Sequence, residues 1–170
     1  KLSSDGWPHR QVGGGHLNWF PGQPTDDTDM ALCMVHSHLK HGRFDGPDVA
    51  KRFVAWMQGP PLDMGNITQE VLTRILRGMA WNEAGREVYR ENPESEANGS
   101  LMRNGVVPGM VNTLAELFRV TLLHGLITHY APLCQICCAA HSWLIWQFLQ
   151  MQDPFAGDWR AAFEKDWTAW

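Results

Sequence analysis

Clustered positive charge is the first thing this sequence lacks. Its 14 lysines and arginines are scattered and outnumbered by 18 aspartates and glutamates, giving a formal charge of −4 and an isoelectric point near 6.0. Binding a nucleic-acid backbone needs grouped cations that displace counterions, so the composition argues against such a surface and favours small-molecule partners. A long uninterrupted apolar run is also missing. The most apolar stretch, residues 131–149, is broken by Gln135, His141, Ser142 and Gln147. These side chains are costly in lipid, so the stretch reads as a buried helix and not as a membrane span. The chain opens on Lys1 without the apolar block a secretory signal needs. Cysteine is scarce, and Cys33, Cys134, Cys137 and Cys138 make no convincing disulfide framework. A cytoplasmic protein is the expectation. Internal repeats and alternating apolar spacing are absent too, and the chain reads as mostly α.

What is present is helical periodicity. With 170 residues, 44% of them hydrophobic, the chain is large enough to bury a core and small enough to be one domain, residues 1–170. A first helix is predicted from the acidic cluster Asp26–Asp29 through Ala31, Leu32, Val35 and Leu39 to a stop at Gly42. A second follows Asp45, with Pro47 in its first turn and Gly59 at its end. A third begins near Asn66 or Thr68. Residues 82–98 turn polar and read as a surface loop. Thr113-Leu114-Ala115-Glu116 matches a capping box that opens a fourth helix. The fifth, from about Pro132 to Met151 with Pro154 ending it, is apolar nearly all round and is expected to be central. A last helix starts at Asp158.

The most informative segment is Thr25-Asp26-Asp27-Thr28-Asp29, which follows the turn Pro21-Gly22-Gln23-Pro24 and packs two hydroxyls and three carboxylates into five positions. Neighbouring residues on a helix point about 100° apart, so Thr25, Asp26 and Asp27 converge on one centre only from the irregular turn before it. Hydroxyl and carboxylate are hard oxygen donors, suited to Mg²⁺, Mn²⁺ or Ca²⁺ and not to Zn²⁺. The plainer reading is that Asp and Thr cap the helix and complement its dipole. The two readings are compatible.

A wider pattern adds to this. Gly22-Gln23-Pro24-Thr25-Asp26-Asp27-Thr28-Asp29-Met30-Ala31-Leu32 resembles the metal-binding signature of the ADP-ribosylglycohydrolase family. Asp63-Met64-Gly65-Asn66-Ile67-Thr68 is similar to the family's Asp-x-Gly-Asn-x-Thr stretch, and Asn98-Gly99-Ser100-Leu101-Met102-Arg103 to its Asn-Gly-Ser-x-Met-Arg loop. Thr128-His129 resembles its Thr-His segment. The resemblance implies an all-α, multi-helix orthogonal bundle with two Mg²⁺ or Mn²⁺ ions in a cleft that binds ADP-ribose. It implies Thr25, Asp26 and Asp27 as metal ligands, with Asp26 and Asp27 the catalytic carboxylates. Asn98, Gly99 and Ser100 would line the pocket, His129 would contact the ligand, and Asp63 would lie near the group that carries ADP-ribose. The implied function is metal-dependent release of ADP-ribose from an ADP-ribosylated protein or small molecule. The alternative is a non-catalytic ADP-ribose-binding module.

Two further family segments do not occur here: an N-terminal Gly-Asp-Ala-Leu-Gly leading to a catalytic Glu, and a C-terminal Asp-x-Asp-Thr. The acids after His129 are Asp153, Asp158, Glu164 and Asp166, none in that pattern. The chain therefore reads as cut at both ends, and by itself it is expected to bind metal weakly and turn over slowly or not at all. Cys134, Cys137, Cys138 and His141 have helical spacing but no second ligand pair, and are expected in the core. Ser100 with His129 makes no nucleophile elbow, and Gly13-Gly14-Gly15 reads as a turn and not a phosphate loop.

Overall fold

The computed structural model describes residues 13–150, 152–153, 155 and 157–170. Among these the fold is all-α: α1 (Asp26–His41), α2 (Gly46–Gln58), α3 (Asn66–Leu76), α4 (Ala84–Glu91), a 3-10 helix (Asn104–Met110), α5 (Leu114–Thr128), α6 (Pro132–Leu149) and α7 (Trp159–Ala169). No helix among them is long and apolar enough to cross a membrane.

Most boundaries follow local chemistry. Gly42 ends α1 in the left-handed region (φ 65°) and donates its N–H to the His38 carbonyl. Asp45 caps α2 by accepting the Asp48 N–H at 2.9 Å. Thr113 accepts the Glu116 N–H at 3.2 Å, while Glu116 reaches back to the N–H of Asn112, one residue earlier than a standard capping box. Asp158 caps α7. The expected stop of α6 at Pro154 falls outside the described residues.

The expectations for residues 82–98, for a central α6 and for Cys137 in the core are corrected. The polar stretch after Asn82 is not simply a loop, since Ala84 and Val88 form an apolar stripe that packs on Val71. The charges of α4 are neutralised around that stripe, with Arg74 bridging Glu70 and Glu91 and Arg90 pairing with Glu87. One stripe, the i,i+3 pair Glu87–Arg90 and the cross-helix pair Arg74–Glu91 suffice for a two-turn helix. The buried face of α1 carries Met30, Met34 and Ser37, whereas Leu39 is 75% exposed. The centre belongs to α5, which packs against α2, α3, α4, α6 and the 3-10 helix. By contrast, α6 lies at the edge with Leu133, Ile136, Phe148 and Leu149 exposed. Cys134 and Cys138 are buried there as expected, but Cys137 is exposed.

The main core joins Met30 and Met34 of α1, Val49 and Phe53 of α2, Leu72 of α3 and Leu117 and Ile127 of α5. Inside it lies a complete arginine. Arg103 is fully buried and donates to the Gly99 carbonyl at 2.6 Å, the His124 carbonyl at 3.0 Å and the Thr128 hydroxyl at 2.7 Å. Its guanidinium stands 4.7 Å from the Phe53 ring centroid, a cation–π contact strengthened by exclusion of water. Burial pulls its pKa down to about 10, and no carboxylate among the described residues pairs with it. A lysine cannot reproduce this fork of donors. Arg103→Lys is expected to lose roughly 3 kcal/mol of stability in urea denaturation, the scale for disturbing a buried charge. Unchanged stability would contradict this role.

Candidate functional site

The site forms where three loops meet at one end of the bundle. Thr25 has extended backbone (φ −108°, ψ −178°) and makes no side-chain cap bond; its hydroxyl instead donates to Asp27 Oδ2 at 2.8 Å. Capping alone thus does not account for the hydroxyl. Asp29 is drawn away from the group, because Trp56 Nε1 of α2 donates to its Oδ2 at 3.1 Å and binds the two helices together. Asp26 stays with the cleft. Burial, followed by the negative charges of Asp27 and Asp63, pushes its carboxyl up to about 6. Asp63 therefore sits close enough for its field to act on Asp26, although 37 residues separate them in sequence.

Asp26 also lines a hollow of about 280 Å³ with Gly65, Asn66, Ile67 and Thr68 before and within α3, and with Ala97, Asn98, Gly99 and Met102. The first three sequence motifs thus share one concave surface. Asp27 faces the other side of Met102, in a hollow of about 290 Å³ that also touches Thr28 and Arg103. A third hollow, of about 340 Å³, shares Ala97 and Asn98 with the first and is otherwise lined by Glu96, Leu101, Leu133, Cys134 and Cys137. A separate hollow of about 190 Å³, between Arg43 and Arg119, contains none of the motif residues.

Ser100 and His129 stand behind the wall. Ser100 is fully buried and accepts from Cys138 Sγ at 3.4 Å. His129 is 2% exposed; its Nδ1 lies 2.9 Å from the Thr128 hydroxyl, and its main-chain carbonyl accepts from Gln135 Nε2. Burial, with Arg103 nearby, lowers the His129 pKa to about 3, so the ring is neutral. Its edge presses on Gly99, where an added Cβ would come within 2.5 Å of Cε1 and 2.9 Å of Nε2. Glycine is needed here for close approach, and His129 fixes the loop from beneath.

Sequence reasoning gave no role to Arg103, although the residue closes the Asn-Gly-Ser-Leu-Met-Arg motif. It also passed over Asn104. That side chain links Cys138 O (2.9 Å), His124 Nε2 (2.8 Å) and Ser142 Oγ (3.0 Å) in a buried polar network. Nothing in composition marks such a residue, since an interior Asn is recognised only by its partners.

As for a metal, the hydroxyl of Thr25 and the carboxylates of Asp26 and Asp27 are hard donors, and Asp26, raised first by burial and then by the charges of Asp27 and Asp63, stands among negative charges that a divalent cation would offset. Among the described residues no group of three or more His, Cys, Asp or Glu is arranged to hold a metal ion unaided. Thr25, Asp26 and Asp27 offer fewer oxygens than the roughly six that an Mg²⁺ shell takes.

Two outcomes follow from this geometry. Gly99→Ala is expected to cost about 1–3 kcal/mol by overpacking and to shift the His129 ring resonances in NMR spectra; neither change would occur if the contact were absent. His124, fully buried and also held well below its ordinary pKa, joins His129 in being neutral in the fold. Their folded pKa values are depressed, so their stabilising contribution is present above the unfolded value near 6.5 and is lost as pH falls toward the folded values. Urea denaturation between pH 7 and 5 should show stability falling with acidity, less steeply in His129→Gln by up to about 1.4 kcal/mol per pH unit.

The sequence model of the family described as ADP-ribosylglycohydrolase matches residues 3–169. The chain is 32% identical over 134 residues to the ADP-ribosyl-(dinitrogen reductase) glycohydrolase of Rhodospirillum rubrum, covering 76% of this chain and 43% of that protein. It is 30% identical over 138 residues to the ADP-ribosylarginine hydrolase of Pseudomonas putida, covering 75% of this chain and 35% of that protein. A Serratia proteamaculans protein of the same description is also 30% identical, with 75% of this chain and 36% of that protein covered. The chain spans less than half the length of these relatives. With a family match along almost its whole length and the motif residues gathered at one end of an all-α fold, this chain belongs to the ADP-ribosylglycohydrolase family.

Proposed function

We propose that this chain contributes the ADP-ribose-binding wall and one set of metal donors to a hydrolase that releases ADP-ribose from ADP-ribosylated protein. The observation that carries the reading is the shared hollow of Asp26, Asn66, Thr68, Asn98 and Gly99, which joins three separated motifs. Support for the leaving group comes from relatives described as acting on ADP-ribosylarginine and on ADP-ribosyl-dinitrogen reductase. An arginine-linked substrate is the first to try.

The acid-lined end of the hollow suits the ribose, whose hydroxyls can donate to carboxylates, and the amides of Asn66 and Asn98 offer both donors and acceptors along the wall. Gly99 keeps that wall thin and lets the backbone approach the ligand. In this reading Thr25, Asp26 and Asp27 would hold Mg²⁺ or Mn²⁺, and such an ion would supply charge neutralisation and help to orient oxygens of the ribose and of water. Asp26 or Asp27 takes the proton of the attacking water as the glycosidic bond at the anomeric carbon breaks. Asp63 borders the same charge cluster and is assigned to the side from which the modified group enters.

Calorimetric titration of ADP-ribose with and without Mg²⁺ tests the assignment. The ion is expected to strengthen binding, and Asp26→Asn or Asp27→Asn to remove at least a tenfold gain, about 1.4 kcal/mol. Because the Asp26 carboxyl is raised to about 6, metal must displace its proton, and the Mg²⁺ effect should grow from pH 5 to 7. Binding that ignores Mg²⁺ and both substitutions would support a non-catalytic ADP-ribose-binding module instead, and an absence of binding in every condition would reject the pocket.

A further inference from the structure

We infer that Cys134 and Cys137 form a thiol pair that exchanges with small disulfides and, once linked, loosens the Ala97–Ser100 segment. The two occupy a Cys-Gln-Ile-Cys sequence in the first two turns of α6. Cys134 is 7% exposed, Cys137 is exposed, and both line the hollow of about 340 Å³ whose wall includes Ala97 and Asn98. That wall is also one side of the candidate ADP-ribose hollow.

The same helix holds this segment through sulfur. Cys134 Sγ donates to the Ala97 carbonyl at 3.3 Å, and Cys138 Sγ donates to the Ser100 hydroxyl at 3.4 Å. Asn98 and Gly99 are therefore suspended between two thiol contacts. Residues three apart on a helix have Cβ atoms roughly 5–6 Å apart, whereas a disulfide needs about 3.5–4.5 Å. Closing the pair must tighten this part of α6 and draw the Cys134 sulfur off the Ala97 carbonyl. Cys138 cannot substitute for Cys134, because adjacent helical residues diverge by about 100° and Cys138 is buried under Ser100.

The order of events follows from access. The Cys137 thiol, which is open to solvent, loses its proton and attacks one sulfur of a small disulfide R–S–S–R, expelling a thiolate that takes up a proton. Cys134, whose thiol burial pushes up in pKa, then loses its proton and attacks the Cys137 sulfur of the mixed disulfide, expelling the second R–S⁻. Two cysteine thiols are oxidised, and one R–S–S–R is reduced to two R–SH.

Oxidised glutathione serves as the probe. After incubation with it, intact mass should fall by two hydrogens, peptide mapping should find Cys134 joined to Cys137, and dithiothreitol should reverse both changes. Amide hydrogen exchange at residues 97–100 should rise several-fold in the linked form. Cys134→Ser should stop at a glutathione adduct on Cys137, and Cys137→Ser should stay unmodified at Cys134 with reduced-state exchange rates at 97–100. Thiols that remain reduced, a link to another cysteine, or a Cys134–Cys137 link that leaves exchange at 97–100 unchanged would each overturn the inference. None of these readouts depends on ADP-ribose binding.

Discussion

A guanidinium with no exposed surface must find its acceptors inside the protein, and Arg103 finds them on the segments that surround the candidate site. One arm holds the Gly99 carbonyl; the other holds the end of α5 through the His124 carbonyl and the Thr128 hydroxyl. Its plane stacks on Phe53 of α2, and Met30 of α1 touches it from the side that leads to Asp26. Burying this cation without a carboxylate is costly, and hydrogen bonds to neutral oxygens offset only part of the cost. The return is geometric. The Asn98–Ser100 loop, the end of α5 and the first turns of α1 are referred to one rigid group, and a loop with few apolar side chains acquires a fixed position.

The electrostatics of the site divide along the same lines. On the open side Asp26, partly buried and beside the charges of Asp27 and Asp63, holds its proton to about 6. Behind the loop the polar groups are neutral and hydrogen-bonded: His129 against Gly99, and Asn104 joined to His124 and Ser142. Apart from the Arg103 cation, which holds the Gly99 carbonyl from within, the support beneath the acidic, open rim is uncharged, and negative charge is concentrated where a cation and a ribose would meet it. The support does not itself need to titrate.

Much of this was legible in the sequence. The helix ends at Gly42, Asp45, Thr113 and Asp158 were readable because each rests on a local rule of caps and turns, whereas the clustering of the Asp26, Asn66 and Asn98 motifs was anticipated only through the resemblance to the family. What was hidden depended on tertiary partners. The apolar positions along the first helix did not tell which of them face inward: Met30 and Met34 do, because the neighbours of α1 lie on that side, while Leu39 is exposed. The length and apolarity of α6 suggested a central helix, but α5, with less obvious periodicity, touches more of the surrounding elements. The charges of α4 disguised a helix because their pairing with Arg74 crosses from one element to another. Arg103 was visible as a motif letter while its burial was not. No rule of composition places a whole arginine in a core, and only the carbonyls that receive it explain why it is there.

The most direct test of the central claim, that separated motifs form one ligand-binding surface, is a titration of ADP-ribose and Mg²⁺ followed by amide NMR. The account predicts that resonances of Asp26–Thr28, Asn66–Thr68 and Asn98–Gly99 move together along one saturation curve, while those around Arg43 and Arg119 stay still. Shifts confined to the Arg43–Arg119 end, or separate curves for the three segments, would contradict it.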